Sequence, residues 1–314
     1  MVGLGFSFIQ TGSNLYFIDD KRVNIVDETS DVQPMVSVTM ITYNHGEFIE
    51  QAIDGVLMQQ TNFRIELIVG EDCSSDNTRE ILYQLQKKYP DKIILKLPES
   101  NLGVGVNSIS NKLLCKGKYI AECEGDDYWT DPYKLQRQID FLEMTRGAVA
   151  VCTNATADSL NNTKEMFFSE NDDFFHKIGI DEIYEKNVFP TLTAVYNSEI
   201  IKKIIIHQNL DLLDWFSIVN ILQIGDAYRL NFVSAHYRIH QYGVFSSKSD
   251  KQRLRSYVKT GLVIQKNKKL INREIFVNIN NQRASKLFKL SLNEFNFLQI
   301  IKDFILLVKV RIAS

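Results

Sequence analysis

Three carboxylates, Glu124, Asp126 and Asp127, fall within four consecutive residues of the run Ala121-Glu122-Cys123-Glu124-Gly125-Asp126-Asp127-Tyr128-Trp129, with Gly125 as the only spacer. Packed together, such groups repel and raise one another's pKa unless a cation or hydrogen-bond donors sit between them. An all-oxygen ligand set suits a hard divalent ion such as Mg2+ or Mn2+. A solvated acidic turn before the next helix, with Asp131 as its cap, accounts for the run equally well. What the rest of the chain places beside it decides between the two.

An apolar stretch delivers the run, and the same arrangement recurs upstream. Strands are predicted over 35–41, 65–70, 93–97 and 119–121, each short and rich in β-branched and apolar residues. Between the first two, Phe48, Ile49, Ala52, Ile53, Val56 and Leu57 recur at helical spacing. A second helix is predicted over 79–89, closed by Pro90, and a third runs to Leu114 after Asn101-Leu102-Gly103-Val104-Gly105-Val106-Asn107. This alternation predicts an α/β fold, a doubly wound, mostly parallel sheet flanked by helices. Ligands of such sheets bind outside the carboxyl ends of the strands. Residues 42–44, Glu71-Asp72 and 124–127 all lie at those ends, so three polar clusters surround one crevice.

Downstream, Asp131-Pro132 opens a helix whose buried stripe is Leu135, Ile139 and Leu142. A strand is expected at 149–152, a polar and aromatic stretch without period at 154–187 with a solvated loop at Asn171-Asp172-Asp173, a strand at 189–196, a helix at 211–224 and extended chain at 229–239. Residues 1–34 form an N-terminal extension with a hairpin expected around Thr11-Gly12-Ser13-Asn14.

The 314 residues carry a formal charge of −2, which suggests no nucleic-acid partner. The charge is unevenly spread. Residues 251–314 hold 14 Lys/Arg against 3 Asp/Glu, a net of +11 that leaves −13 on residues 1–250. Cys73, Cys115, Cys123 and Cys152 show no paired spacing, the pattern of a reduced, cytoplasmic chain without zinc or a disulfide framework. The first residues lack a signal peptide's basic and apolar regions, and no run approaches the ~18 apolar residues that span a bilayer. Near the C-terminus, Phe295, Phe297, Leu298, Ile301, Phe304, Ile305, Leu306, Val308 and Ile312 alternate with Lys302, Lys309 and Arg311. Such a basic amphipathic helix suits an anionic bilayer, a dock on the protein body or a contact between two copies.

Four segments together resemble the family 2 glycosyltransferases, whose GT-A fold binds nucleotide-sugars: VSVTMITYNHGEFIEQAIDGVLMQQ, ELIVGEDCSSDNT, NLGVGVN and AECEGDDYWTDPYKLQRQIDFLE. The later segment DLLDWFSIVNILQIGDAYRLNFVSAHYRIHQYGV is similar to the acceptor-side half of bacterial polysaccharide-building members. The resemblance covers roughly residues 35–245 and implies a nucleotide-sugar half at 35–152 and an acceptor half at 153–250, which leaves 251–314 as the basic, partly amphipathic helical tail. It implies an inverting glycosyltransferase that uses a UDP-sugar and Mn2+ or Mg2+ and acts on a glycan or lipid-linked acceptor; the expected location is cytoplasmic, at the inner face of the plasma membrane if the tail binds there. Thr42, Tyr43, Asn44, Glu71, Asp72, Asn107, Glu124 and Arg238 would then face the nucleotide-sugar, with Tyr43 stacked on the base. Asp126, Asp127 and His240 would hold the metal. The resemblance implies that Asp214 is the catalytic base, with Asp211 as substitute and Trp215 as a hydrophobic wall. Glu71-Asp72 departs from the commoner Asp-Asp, which makes Asp72 the firmer of the two. A sugar-nucleotide nucleotidyltransferase and a non-catalytic glycan-binding or scaffolding protein are the competing readings.

Overall fold

The computed structural model describes residues 15–18, 21–28, 32–158, 164–166, 168, 173–204, 210–240, 243, 247–292 and 297–313. The first half holds β1 (Leu15–Ile18), β2 (Lys21–Val26), β3 (Val36–Thr42), α1 (Ile49–Leu57), β4 (Ile65–Glu71), α2 (Thr78–Lys88), β5 (Ile93–Pro98), α3 (Val104–Leu114), β6 (Tyr119–Glu122), β7 (Tyr128–Trp129) and α4 (Lys134–Met144). There follow β8 (Ala148–Asp158), β9 (Lys164–Met166), β10 (Phe175–Lys177), α5 (Ile180–Glu185), β11 (Val195–Asn197), α6 (Ser198–Ile204), α7 (Leu213–Ile221) and β12 (Asp226–Tyr237). Three helices complete it: α8 (Asp250–Gln265), α9 (Arg273–Leu292) and α10 (Phe297–Ile312).

All twelve described strands join one sheet, in the order β1-β2-β5-β4-β3-β6-β11-β8-β12-β10, with β7 on β12 and β9 on β8. The strands β5, β4, β3 and β6 are parallel neighbours, as the strand–helix alternation predicts. They are apolar on both faces because helices cover both. Leu67 and Val69 enter one core with Val38, Met40 and Trp129, while the intervening Ile68 enters the other with Ile120, Tyr196 and Trp215.

Three expectations differ from the structure. The N-terminal hairpin pairs Ile18 with Lys21 and adds to the sheet edge at β5, later in the chain than the reversal predicted at 11–14, which lies outside the described residues. The strand expected to end at residue 152 runs on to Asp158, because it pairs in parallel with β12. Its polar residues are satisfied inside the sheet, with Thr153 Oγ1 2.5 Å from Ser234 Oγ and Asn154 Nδ2 donating to the Phe168 carbonyl at 2.8 Å. Apolar periodicity is blind to such a strand. The segment 189–196 is strand only from Val195; Pro190 precedes a turn of 3-10 helix at Thr191–Thr193.

The tail is a three-helix unit around Val258, Ala284, Leu287, Leu307 and Val310. Ile264, Leu270 and Phe276 of this unit enter the second core, where Phe276 packs edge-on against Tyr184. Helix α10 is pinned by Asp303, which is buried. The Arg255 guanidinium meets both its oxygens at 2.9 and 2.7 Å, and Ser291 Oγ donates at 2.5 Å. Asp303→Ala strands a partly buried guanidinium and a buried hydroxyl. It should therefore lower unfolding stability by roughly 3 kcal/mol, read as a shifted urea midpoint.

Candidate active site

The ends of the parallel strands are laced to one another. The Asp72 N–H donates to the Thr42 carbonyl and the Gly125 N–H to the Ile41 carbonyl, each at 3.0 Å, so the acidic run folds over the end of β3. Gly125 is required for that closeness: a Cβ there would sit 2.7 Å from Thr42 Oγ1 and 2.8 Å from Thr42 Cβ. The result brings one carboxylate oxygen of each of Glu124, Asp126 and Asp127 within 4.8 Å of the others.

The far end of β12 closes the site from the other side. The Arg238 N–H donates to Asp127 Oδ1 at 2.9 Å, and the Arg238 guanidinium donates to the Asp126 carbonyl at 2.6 Å and to Gln51. That guanidinium also lies over the rings of Tyr128 (4.4 Å) and Phe48 (5.1 Å), which fixes its plane. His240 Nε2 lies 3.0 Å from Asp126 Oδ2, and His45 Nε2 lies 3.7 Å from the same oxygen. Among the described residues, Asp127 Oδ2 is buried without a hydrogen-bond partner.

Burial, then the adjacent Asp126, pushes the Glu124 carboxyl up to about 8. Burial, then Asp126 and Glu124, lifts Asp127 well above the usual carboxylate range. Crowded acids with an orphaned oxygen are what a hard divalent cation relieves, so the donor set fits Mg2+ or Mn2+. Asp126 and Asp127 would hold the ion, with Glu124 beside them.

Asp214 sits in the first turn of α7 and belongs to the same electrostatic neighbourhood, for it contributes to the raised Glu124 value. Burial raises the Asp214 pKa itself, against the lowering effect of the helix-start backbone amides. Asn187 Nδ2 donates to its Oδ2 at 2.6 Å and Thr191 Oγ1 at 3.4 Å, which aims the carboxylate.

The other predicted residues separate into groups. Tyr43 is 47% exposed at the tip of β3. Asn44 adopts a left-handed φ of 56°, and its Oδ1 accepts the Ser75 N–H at 2.8 Å, tying the two strand-end loops together. Glu71 is buried, ion-paired to Arg79 and bonded by the Ser74 N–H at 2.5 Å. Asp72 accepts the Leu102 and Gly103 N–H groups at 2.7 and 2.9 Å, and so shapes the loop before α3. Asn107 is buried, donating to the Gly70 carbonyl at 2.8 Å and accepting from Lys96 Nζ at 2.6 Å, so its side chain is spent inside the scaffold. Trp215 is fully buried, with its indole N–H on the Ile183 carbonyl at 2.6 Å, rather than forming a wall for a sugar. Asp211 takes the Ser256 hydroxyl at 2.8 Å on the side of the tail. The sequence reading missed His45, Gln51 and Asn187. His45 had a signal in the strand-end turn Thr42-Tyr43-Asn44-His45-Gly46, whereas Asn187 lies in a stretch without periodicity.

Residues 37–205 match the description "Glycosyl transferase family 2". The chain belongs to glycosyl transferase family 2. TuaG of Bacillus subtilis, named for a teichuronic acid biosynthesis glycosyltransferase, is 30% identical over 225 residues, 69% of this chain and 83% of that protein. An uncharacterized protein of Mycobacterium tuberculosis is 31% identical over 216 residues, 68% of this chain. The match spans 61% of that mycobacterial protein's length. Among solved structures, S. aureus TarS 1-349 in complex with UDP-GlcNAc superposes with a TM-score of 0.66 at 16% identity, covering 85% of this chain and 79% of that one. The mannosyltransferase PcManGT of Pyrobaculum calidifontis, in complex with GDP-Man and Mn2+, gives 0.58 at 13% identity over 91% of this chain and 89% of that one. This member of family 2 thus has the GT-A fold.

Carboxylates with raised pKa values hold protons that the unfolded chain has released. Their contribution to stability therefore falls as pH rises from the ordinary Glu value of 4.5 toward about 8. Mn2+ should accordingly raise the melting temperature over the EDTA value, and more at pH 8 than at pH 5. Asp127→Asn, which removes one charge, should melt higher than wild type in EDTA at pH 8 and lose most of the Mn2+-dependent rise in scanning calorimetry.

Proposed function

We propose that this glycosyltransferase moves a sugar from a UDP-sugar to a hydroxyl of a glycan or lipid-linked acceptor in surface-polysaccharide synthesis, with inversion at the anomeric carbon. Residues 35–152 would serve the donor and residues 153–250 the acceptor. The observation that carries this reading is the placement of the aimed Asp214 carboxylate within electrostatic reach of the Glu124–Asp127 run. Proton acceptor and charge-bearing run would then serve the same reaction. The TarS complex with UDP-GlcNAc and the teichuronic acid name of TuaG support the donor and product classes.

The acceptor oxygen attacks the anomeric carbon as the bond from that carbon to the diphosphate oxygen breaks. Asp214 takes the proton of the attacking hydroxyl, for which its raised pKa suits it. Tyr43 presents a ring face to the base, and the Asp72 region closes around the nucleoside. Arg238 and His240 are both anchored on the Asp126–Asp127 segment; they would then meet the charge that accumulates on the diphosphate. A divalent ion bound to Asp126 and Asp127 would supply the neutralisation of that departing charge.

With Mn2+ and a panel of nucleotide-sugars, UDP release is the expected product. Asp214→Asn should reduce kcat by on the order of 10^2-fold or more with little change in donor KM. Asp126→Ala should lose both turnover and Mn2+-dependent UDP binding in calorimetry. Because turnover needs Asp214 ionised, the acid limb of kcat should sit above the ordinary aspartate value of 3.8. Release of pyrophosphate instead of UDP, or glycan binding indifferent to UDP and metal, would replace this reading with a nucleotidyltransferase or a binding module.

A further inference from the structure

Helix α10 presents an apolar stripe to solvent. Leu298, Ile301, Ile305, Val308 and Ile312 follow one another at steps of three and four residues, and each is between 37% and 81% exposed. The opposite face of the same helix, Asp303, Leu307 and Val310, is buried in the tail unit. The stripe is therefore left over after the tail has packed, and not a by-product of a helix without a dock.

Its borders are cationic. At about 100° per residue, Lys302 and Lys309 edge the stripe on one side and Arg311 on the other. Arg311 also lines an open cleft of about 540 Å³ with Lys286 and Lys289 of α9, where the remaining lining residues are Asn281, Gln282 and Ser285. No carboxylate lines that cleft, and the one carboxylate of α10, Asp303, is buried against Arg255. Among the described residues, no helix is long and apolar enough to cross a membrane.

We propose that the exposed face of α10 docks on an anionic lipid surface, with the stripe in the acyl boundary and the lysines and arginines on lipid phosphates. The sign of the borders selects this occupant. A helix seam between two copies is normally flanked by charges that complement across the pair. Here every flanking charge is positive, so a second copy would set like charges against each other, whereas lipid phosphates satisfy both borders. Long cationic side chains beside an apolar stripe also match the way Lys and Arg reach from a membrane-seated helix to the headgroups.

The full chain should co-sediment with vesicles of phosphatidylcholine plus phosphatidylglycerol, and weakly with phosphatidylcholine alone, the difference shrinking as salt rises. Ile305→Glu should weaken the partition constant roughly ten-fold or more, as should the double variant Lys302→Glu, Lys309→Glu, which reverses two charges near the surface. All three positions are exposed, so these proteins should melt like wild type, and UDP release without vesicles should be unchanged. The proposal is overturned if wild type ignores anionic vesicles. It is equally overturned if neutral and anionic vesicles bind alike, or if light scattering shows a dimer that Ile305→Glu dissociates while pelleting is absent.

Discussion

Like-charge crowding at one strand end is the constraint on which the rest of the molecule depends. Glu124, Asp126 and Asp127 would spread apart in a flexible loop. They are kept together because the run is hydrogen-bonded across the end of β3 and threaded past Thr42 at a glycine. The stiffness comes from below, where β3, β4 and β6 are buried in parallel register between two apolar cores. A core that tolerates few voids leaves the loop little freedom to relieve the repulsion by moving. The remaining routes are protonation or a bound counter-charge, and both couple the site to its ligands.

The second half of the chain contributes the complementary parts. Strand β12 follows β8 with several register shifts between Asp226 and Ala235, and delivers Arg238 and His240 onto the acidic run. Helix α7 carries Asp214, held by Asn187 and Thr191 from the neighbouring loop and 3-10 turn. Acid crowding and the aimed acid thus stand on separate elements. Each has its own hydrogen-bonded support, which holds the two sets of carboxylates in fixed positions.

The parallel core was legible because it follows a strong rule. Continuous apolar strands alternating with amphipathic helices gave β3 to β6 within a residue or two of their observed ends. The acidic run was legible because three carboxylates in four residues demand an explanation. What stayed hidden follows from the same reasoning. The continuation of β8 through Thr153 and Asn154 is stabilised by polar pairs inside the sheet, which hydropathy reads as loop. Asn107 carried the right chemistry for a ligand, but tertiary packing committed it to Gly70 and Lys96. Trp215 looked like a platform and proved to be core, and only the fold tells those apart. His45 was visible as a turn residue, yet its nearness to Asp126 depends on a loop crossing that no local pattern reports.

The bond from the Arg238 amide to Asp127 has a consequence for how the protein comes into being. Those two residues are separated by 111 positions along the chain, and the bond from His240 to Asp126 by 114. During synthesis, the acidic run leaves the ribosome long before β12 exists to close over it. Chains emerge vectorially and fold by regions, so the nascent N-terminal half must carry its concentrated negative charge with only water and free cations to shield it. The arrangement of Arg238 and His240 around the acidic run is complete only once β12 has joined the sheet.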